Sequence, residues 1–208
     1  MLDHTTAGII IFGTKNARVE NCVIAPRGKQ DMSSYRGELM GVYSSVLLIL
    51  CICEYFGIQK GRVTLGCDGL SALQRTFDIS YSAKVDEPCY DLLVATHKLL
   101  SQSTIQWDTR HIDSHQDEHK RWEDIDFGGR LNIEADALVK SHIPVARLAP
   151  RHYAIADEPW SIWFHVRKIA KIEEEIYDIV HAPRARNYWE NKDKTLNHNI
   201  DYIHVSHW

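Results

Sequence analysis

This sequence has no paired set of cysteines, no long apolar run and no excess of positive charge. Each lack removes a class of protein. Its five cysteines, Cys22, Cys51, Cys53, Cys67 and Cys89, are odd in number and contain no CxxC pair. That pattern speaks against a disulfide framework and for reduced thiols in an intracellular compartment, with Cys51, Cys53 and Cys67 buried in apolar runs. The longest uncharged run, Leu39 to Cys53, is 15 residues between Glu38 and Glu54. It is short for a membrane span and reads as a core helix buried nearly all round. The net charge of −4 supplies no basic field over the whole protein, so any nucleic-acid contact must be local. No signal-peptide pattern, internal repeat or low-complexity tract is visible.

What is there is an ordinary globular mixture: 208 residues, 44% hydrophobic and 25% charged. That is enough for one core of about 150 residues plus an extension. Residues 7–13 (AGIIIFG) and 16–26 (NARVENCVIAP) read as two strands of an antiparallel hairpin. A polar stretch follows, in which Ser33 or Ser34 is placed to cap a helix over residues 35–56 that Gly57 ends. The spacing then predicts a strand over 62–68, a short helix over 69–77, a helix over 87–103, a half-buried strand over 104–112 and a helix over 132–143, the last after a long polar loop. Strands alternating with helices in this order predict an α/β domain, residues 1–143, with a central mixed sheet. Residues 144–208 read as a proline-containing linker and a helical, aromatic extension.

The segment TLGCDGLSALQ poses the functional question, because an apolar strand runs straight into Asp68. A charge at such a place is costly unless it is paired or holds a metal, although an aspartate there can also simply cap the next helix. Two more acids occupy element ends: Glu38 in the first turn of the long helix and Asp136 near the start of the late helix. Strand ends and helix starts are where an open α/β sheet gathers its site. Three carboxylates brought together repel one another unless cations bridge them. Mg²⁺, a hard ion with oxygen ligands, suits such a set. Two such ions can activate a water and stabilise the leaving oxygen of a phosphodiester.

Together, SSYRGELMGV, VTLGCDGLSAL and HIDSHQ…LNIEADALVK resemble type 1 ribonuclease H over about residues 7–141, in the style of eukaryotic retrotransposon polyproteins. The resemblance implies a three-layer ribonuclease H-like fold and hydrolysis of the RNA strand of RNA–DNA hybrids with two Mg²⁺ (or Mn²⁺) ions. It implies that Glu38, Asp68 and Asp136 are metal ligands, and that His115 moves protons or product. It also makes Asn132 part of the start of the last helix, and an adjoining reverse transcriptase domain a partner. No membrane partner is expected. The family opens with an Asp-Gly-Ser strand, whereas Met1 to Thr6 is all that precedes the first strand here and Asp3 is its sole acid. Either Asp3 supplies the fourth ligand in a shortened hairpin, or the first strand is truncated. The second possibility leaves the rival reading of a catalytically degenerate domain that binds nucleic acid or plays a structural part. A transposase or integrase on the same fold fits less well, since such sites end in Glu on the last helix.

Other residues carry weaker signals. His111, His115 and His119 recur every four residues, a zinc spacing only if they shared a helix. A strand end followed by a loop is the better reading. Ser71, Asn132 and Arg36 are candidate substrate contacts, with Arg27, Lys29, Arg75, Lys84 and Arg130 as further candidates for the phosphate backbone. Sugar 2′-hydroxyl contacts would mark the RNA strand. Trp160, Trp163 and Trp189 could stack bases or fill a docking surface. The acidic residues Asp117, Glu118, Glu123, Asp124 and Asp126 read as a solvated loop.

Overall fold

The hairpin forms where alternation predicts it. Strand β1 (Thr6–Phe12) pairs antiparallel with β2 (Arg18–Ile24), from Thr6↔Ile24 to Phe12↔Arg18. Asn16 takes the left-handed conformation in the turn, which asparagine tolerates, and the Gly13 N–H closes it on the Ala17 carbonyl at 2.7 Å. This is a computed structural model, and it describes residues 5–13, 16–25, 33–78, 80–84, 87–146, 162–164, 167–169 and 181. The chain divides into two compact units, residues 1–159 and 160–208.

Helix α1 (Ser34–Tyr55) starts where Ser33 Oγ accepts the Arg36 N–H at 3.1 Å, and it ends before Gly57, whose φ is 64°. By length and composition α1 could cross a membrane. In this fold its Leu39, Val42, Tyr43 and Val46 instead lie in the core. Arg36 lies there too, 1% exposed, with its guanidinium donating to both carboxylate oxygens of Asp91 at 3.0 and 2.9 Å. Arg36 was expected to touch substrate. It does not reach the surface, because a buried guanidinium is stable only when paired and Asp91 supplies the pair.

Beyond α1 run β3 (Arg62–Cys67), α2 (Leu70–Phe77), α3 (Tyr90–Gln102) and β4 (Gln106–His111). Strands β3 and β4 are parallel, from Arg62↔Gln106 to Cys67↔His111, as a helical crossover requires. Leu65, Ala72, Leu73, Leu92, Leu93, Ala95 and Leu99 complete the core with α1. Cys89 belongs to it, but Cys51 is exposed and Cys53 and Cys67 are half-buried, so the expected burial of those three thiols is not met.

The polar segment after β4 holds two short 3-10 turns, Gln116–Glu118 and Trp122–Asp124. Helix α4 (Phe127–Ala146) then begins five residues before the sequence pattern suggests. Gly128 and Gly129 read as helix breakers, yet Asp126 Oδ1 accepts the Gly129 N–H at 2.8 Å and caps the helix. A methyl on Gly129 would press on Ile125 Cγ2 and Gln116 Nε2, so the glycine is required by packing. The early start places Asp136 in the third turn of α4, and Glu38 lies in the second turn of α1, so neither acid sits at the end of its helix.

The two long helices cover opposite faces of β1. Gly41 of α1 lies over Ala7, and Gly37 packs on Thr5 and Thr6. On the next residue along, Gly8, a methyl would overlap the Ala135 carbonyl of α4. Successive strand residues face opposite ways, so α1 and α4 sandwich the strand. The expected single mixed sheet is not formed among the described residues. β1–β2 and β3–β4 are separate two-stranded ladders, because neither β1 nor β3 pairs along its second edge there. In the second unit β5 (Ile162–Phe164) and β6 (Arg167–Ile169) pair antiparallel. The helical pattern expected from Ile169 onward therefore has its first residue in a strand, and its remainder lies outside the described residues.

Candidate carboxylate site

Asp68 follows the last residue of β3, and its main chain is held from β4. The Ile112 N–H donates to the Cys67 carbonyl at 3.0 Å, and the His111 ring bonds the Asp68 carbonyl through Nε2 at 3.0 Å. Asp68 does not cap α2. The N-cap is Gly69, with no side-chain cap bond, so the carboxylate is left to face its neighbours. Beside it, burial pushes the Cys67 thiol up to about 12. The neutral sulfur accepts the Gly69 N–H at 3.3 Å and lies 3.8 Å from Asp68 Oδ1, pinning the turn from inside.

Glu38 reaches this turn from α1. A methyl on Gly69 would overlap the Glu38 carboxylate, so glycine is the residue that admits it. Glu38 is half-buried. Burial raises its carboxyl above the ordinary range, and the charge of Asp68 raises it further. Asp136 arrives from α4. Burial is again the largest cause of its raised carboxyl, with Asp68 next. Lys140, one turn on, and His115 pull it back, while Asp117 pushes it up. Asp68 is thus the common neighbour of two acids carried by helices that cover opposite faces of β1.

Neither a protein-family model nor a curated protein matches this sequence.

The remaining expected residues are placed as follows. His115 is exposed, in a left-handed conformation at φ 54°, with Nδ1 at 3.5 Å from Glu118 Oε1. Asn132 lies one turn before Asp136 on the same face of α4, half-buried, and Ser71 is exposed in the first turn of α2. Asp3, Arg27, Lys29, Trp160 and Trp189 lie outside the described residues, and of Trp163 only the backbone in β5 is described. Arg75 is held by Glu87 at 2.9 Å and lies over the Tyr35 and Tyr81 rings. Arg130 stacks on Trp122. Both cations have protein partners, so as free phosphate contacts they are weakened. Lys140, unremarked in the sequence, is exposed on the Asn132–Asp136 face and is better placed. The α4 period of four residues could have found it.

Among the described residues no group of three or more His, Cys, Asp or Glu side chains is arranged to hold a metal ion, the three spaced histidines included. The chemistry of the donors nevertheless fits a hard cation. All are carboxylate oxygens, and two of the three are raised by burial and by a shared neighbour of like charge, the strain that a cation relieves. Mg²⁺ keeps several waters and needs only one or two protein carboxylates.

Proposed function

We propose that this chain is a ribonuclease H-like, metal-dependent endonuclease that hydrolyses the RNA strand of RNA–DNA hybrids, and that it belongs to a retroelement polyprotein beside a reverse transcriptase domain. The observation that carries the reading is that Asp68 is a charged neighbour of both Glu38 and Asp136, whose carboxyls are raised first by burial and then by its charge. The order of the motifs around those acids adds to it. Divalent cations, two Mg²⁺ or Mn²⁺ when bound, would activate the attacking water and stabilise the leaving oxygen.

In this reading Glu38 and Asp68 would hold the ions, and Asp136 would hold one of them. Water attacks phosphorus in line, the ribose 3′ oxygen leaves, and a 5′ phosphate results. His115 serves the leaving 3′ oxygen or the departing product. An imidazole can carry a proton in either role. Asn132, Ser71 and Lys140 flank the acids as candidate sugar and phosphate contacts. Asp3 is a candidate fourth ligand.

A second reading rests on the lack of an Asp-Gly-Ser strand ahead of β1 in this sequence, and on the three acids not forming a metal-holding group among the described residues: a degenerate domain that binds the hybrid without cutting it. End-labelled RNA–DNA hybrid incubated with the 208-residue chain and Mg²⁺ or Mn²⁺ separates the two. Metal-dependent cutting that Asp68→Asn abolishes, with the fold intact, supports the nuclease. Binding without cutting by folded wild-type chain supports the second reading. His115→Ala should slow turnover by roughly ten- to a thousand-fold, and unchanged turnover would remove it from the mechanism.

A further inference from the structure

The main chain at Asp68 is held by a residue whose side chain has no other evident task. His111 is the last residue of β4, in register with Cys67 of β3. Its ring is exposed, so it contributes little packing. Nε2 lies 3.0 Å from the Asp68 carbonyl oxygen. A carbonyl only accepts, so Nε2 carries the hydrogen. The Leu70 N–H donates to the same oxygen at 3.1 Å. Both acceptor positions of that carbonyl are therefore filled, and the peptide plane joining Asp68 to Gly69 is fixed. That plane aims the Asp68 side chain on one side. On the other it sets the Gly69 Cα against the Glu38 carboxylate, where no methyl fits.

We infer that His111 is a positioning residue which, by holding the Asp68 carbonyl, sets the arrangement of Asp68 and Glu38 as a pair. This rests on the metal-binding reading above. A solvent-exposed hydrogen bond adds little to folding stability. A misaimed ligand costs much more in metal binding, since outer partners of metal ligands are worth about 10- to 100-fold in affinity. The two roles are separable because the effect falls on metal affinity and turnover rather than on the fold.

The test uses the full chain and Mn²⁺ alone as probe, with free Mn²⁺ followed by electron paramagnetic resonance and thermal unfolding followed in parallel. His111→Leu removes the donor and should weaken Mn²⁺ binding by about 10-fold or more, with the melting temperature nearly unchanged. His111→Gln, which offers an amide N–H from a similar reach, should restore most of the affinity. On hybrid substrate, kcat should fall in the leucine variant while KM stays level. If leucine prevents folding, His111→Phe keeps a ring without a donor and is read in the same way. Wild-type affinity in a folded His111→Leu chain, beside loss of binding in Asp68→Asn, overturns this inference and leaves the metal site standing. So would equal destabilisation of the leucine and glutamine variants with unchanged Mn²⁺ affinity. Absence of any Mn²⁺ binding that depends on Asp68 overturns both.

Discussion

The two helices that bring Glu38 and Asp136 to Asp68 belong to walls of different quality. On the α1 side Leu39, Val46, Ala72, Leu92, Leu93 and Ala95 are sealed from solvent. On the α4 side Ile112 and Ile125 are buried beneath its first turn, but farther along Leu131, Ile133, Leu138 and Val139 are all half-buried. Polar contacts follow the same division. Arg36 and Asp91 form a bidentate pair inside the first wall, whereas Arg110 and Asp126 pair at 2.5 Å in the open beside α4, about half exposed. A close-packed interior gives little, while a half-buried helix opens more readily. Glu38 is thus mounted on the firm wall and Asp136 on the yielding one, and adjustment of the site should come mainly from α4.

The sharpest way to break that comparison is at the ion pairs. Arg36→Ala should cost about 3–5 kcal/mol because it strands Asp91 in the core. Arg110→Ala should cost about 0–1 kcal/mol. Denaturant unfolding of both variants checks this, and similar losses would mean that the walls do not differ. The apolar side chains sharpen the contrast by a smaller step. Leu92→Ala should cost about 2–5 kcal/mol. Leu138→Ala, which gives up only partial burial, should cost roughly 1 kcal/mol.

The smallest expected effect is on pH. Glu38 and Asp136 are raised in the folded chain, so they favour folding fully below the ordinary carboxylate range. As pH rises from that range through their raised values, the unfolded chain releases protons that the folded chain keeps, and this stability is lost. Metal-free protein should therefore become slightly more stable on acidification just above the ordinary range. Asp68→Asn should flatten the slope by removing the shared charge. Asp78 and Asp126 are lowered, so their contribution is lost at lower pH and does not mask the window. Melting temperature against pH, with and without Mg²⁺, measures it.

The parts of this molecule that a linear reading reaches are those controlled by near neighbours. Alternation placed β1 and β2 to within two residues, and Ser33 and Gly57 bounded α1, since caps act through atoms three or four residues away. The start of α4 escaped because Gly128 and Gly129 look like breakers until the bulk of Ile125 and Gln116 is seen against them. Arg36 was misread for a related reason, since its partner Asp91 lies far along the chain. The placing of Glu38 on α1, Asp68 at the end of β3 and Asp136 on α4 was legible from the pattern, although the depth of Glu38 and Asp136 within each helix was not. Asp68 as a helix cap gave way, while the acidic run is exposed as expected, with Asp126 taking a capping role besides. The cap is Gly69, and Asp126 of that run caps α4. His111 was read only as a strand end, because its role depends on which strand lies beside β4.

In α1, Gly37 rests on β1 and the next residue, Glu38, reaches the acids. In α4, Ala135 rests on β1 and the next residue, Asp136, does the same. Strand β1 is therefore a spacer gauge between two mounted carboxylates. Ala7 sets how closely α1 approaches the strand at Gly41, and Gly8 sets how closely α4 approaches it at Ala135. Bulk added at either position would push the helix on that side outward like a shim, so substitutions at these two small residues would move one helix and its acid while keeping both carboxylates in the sequence.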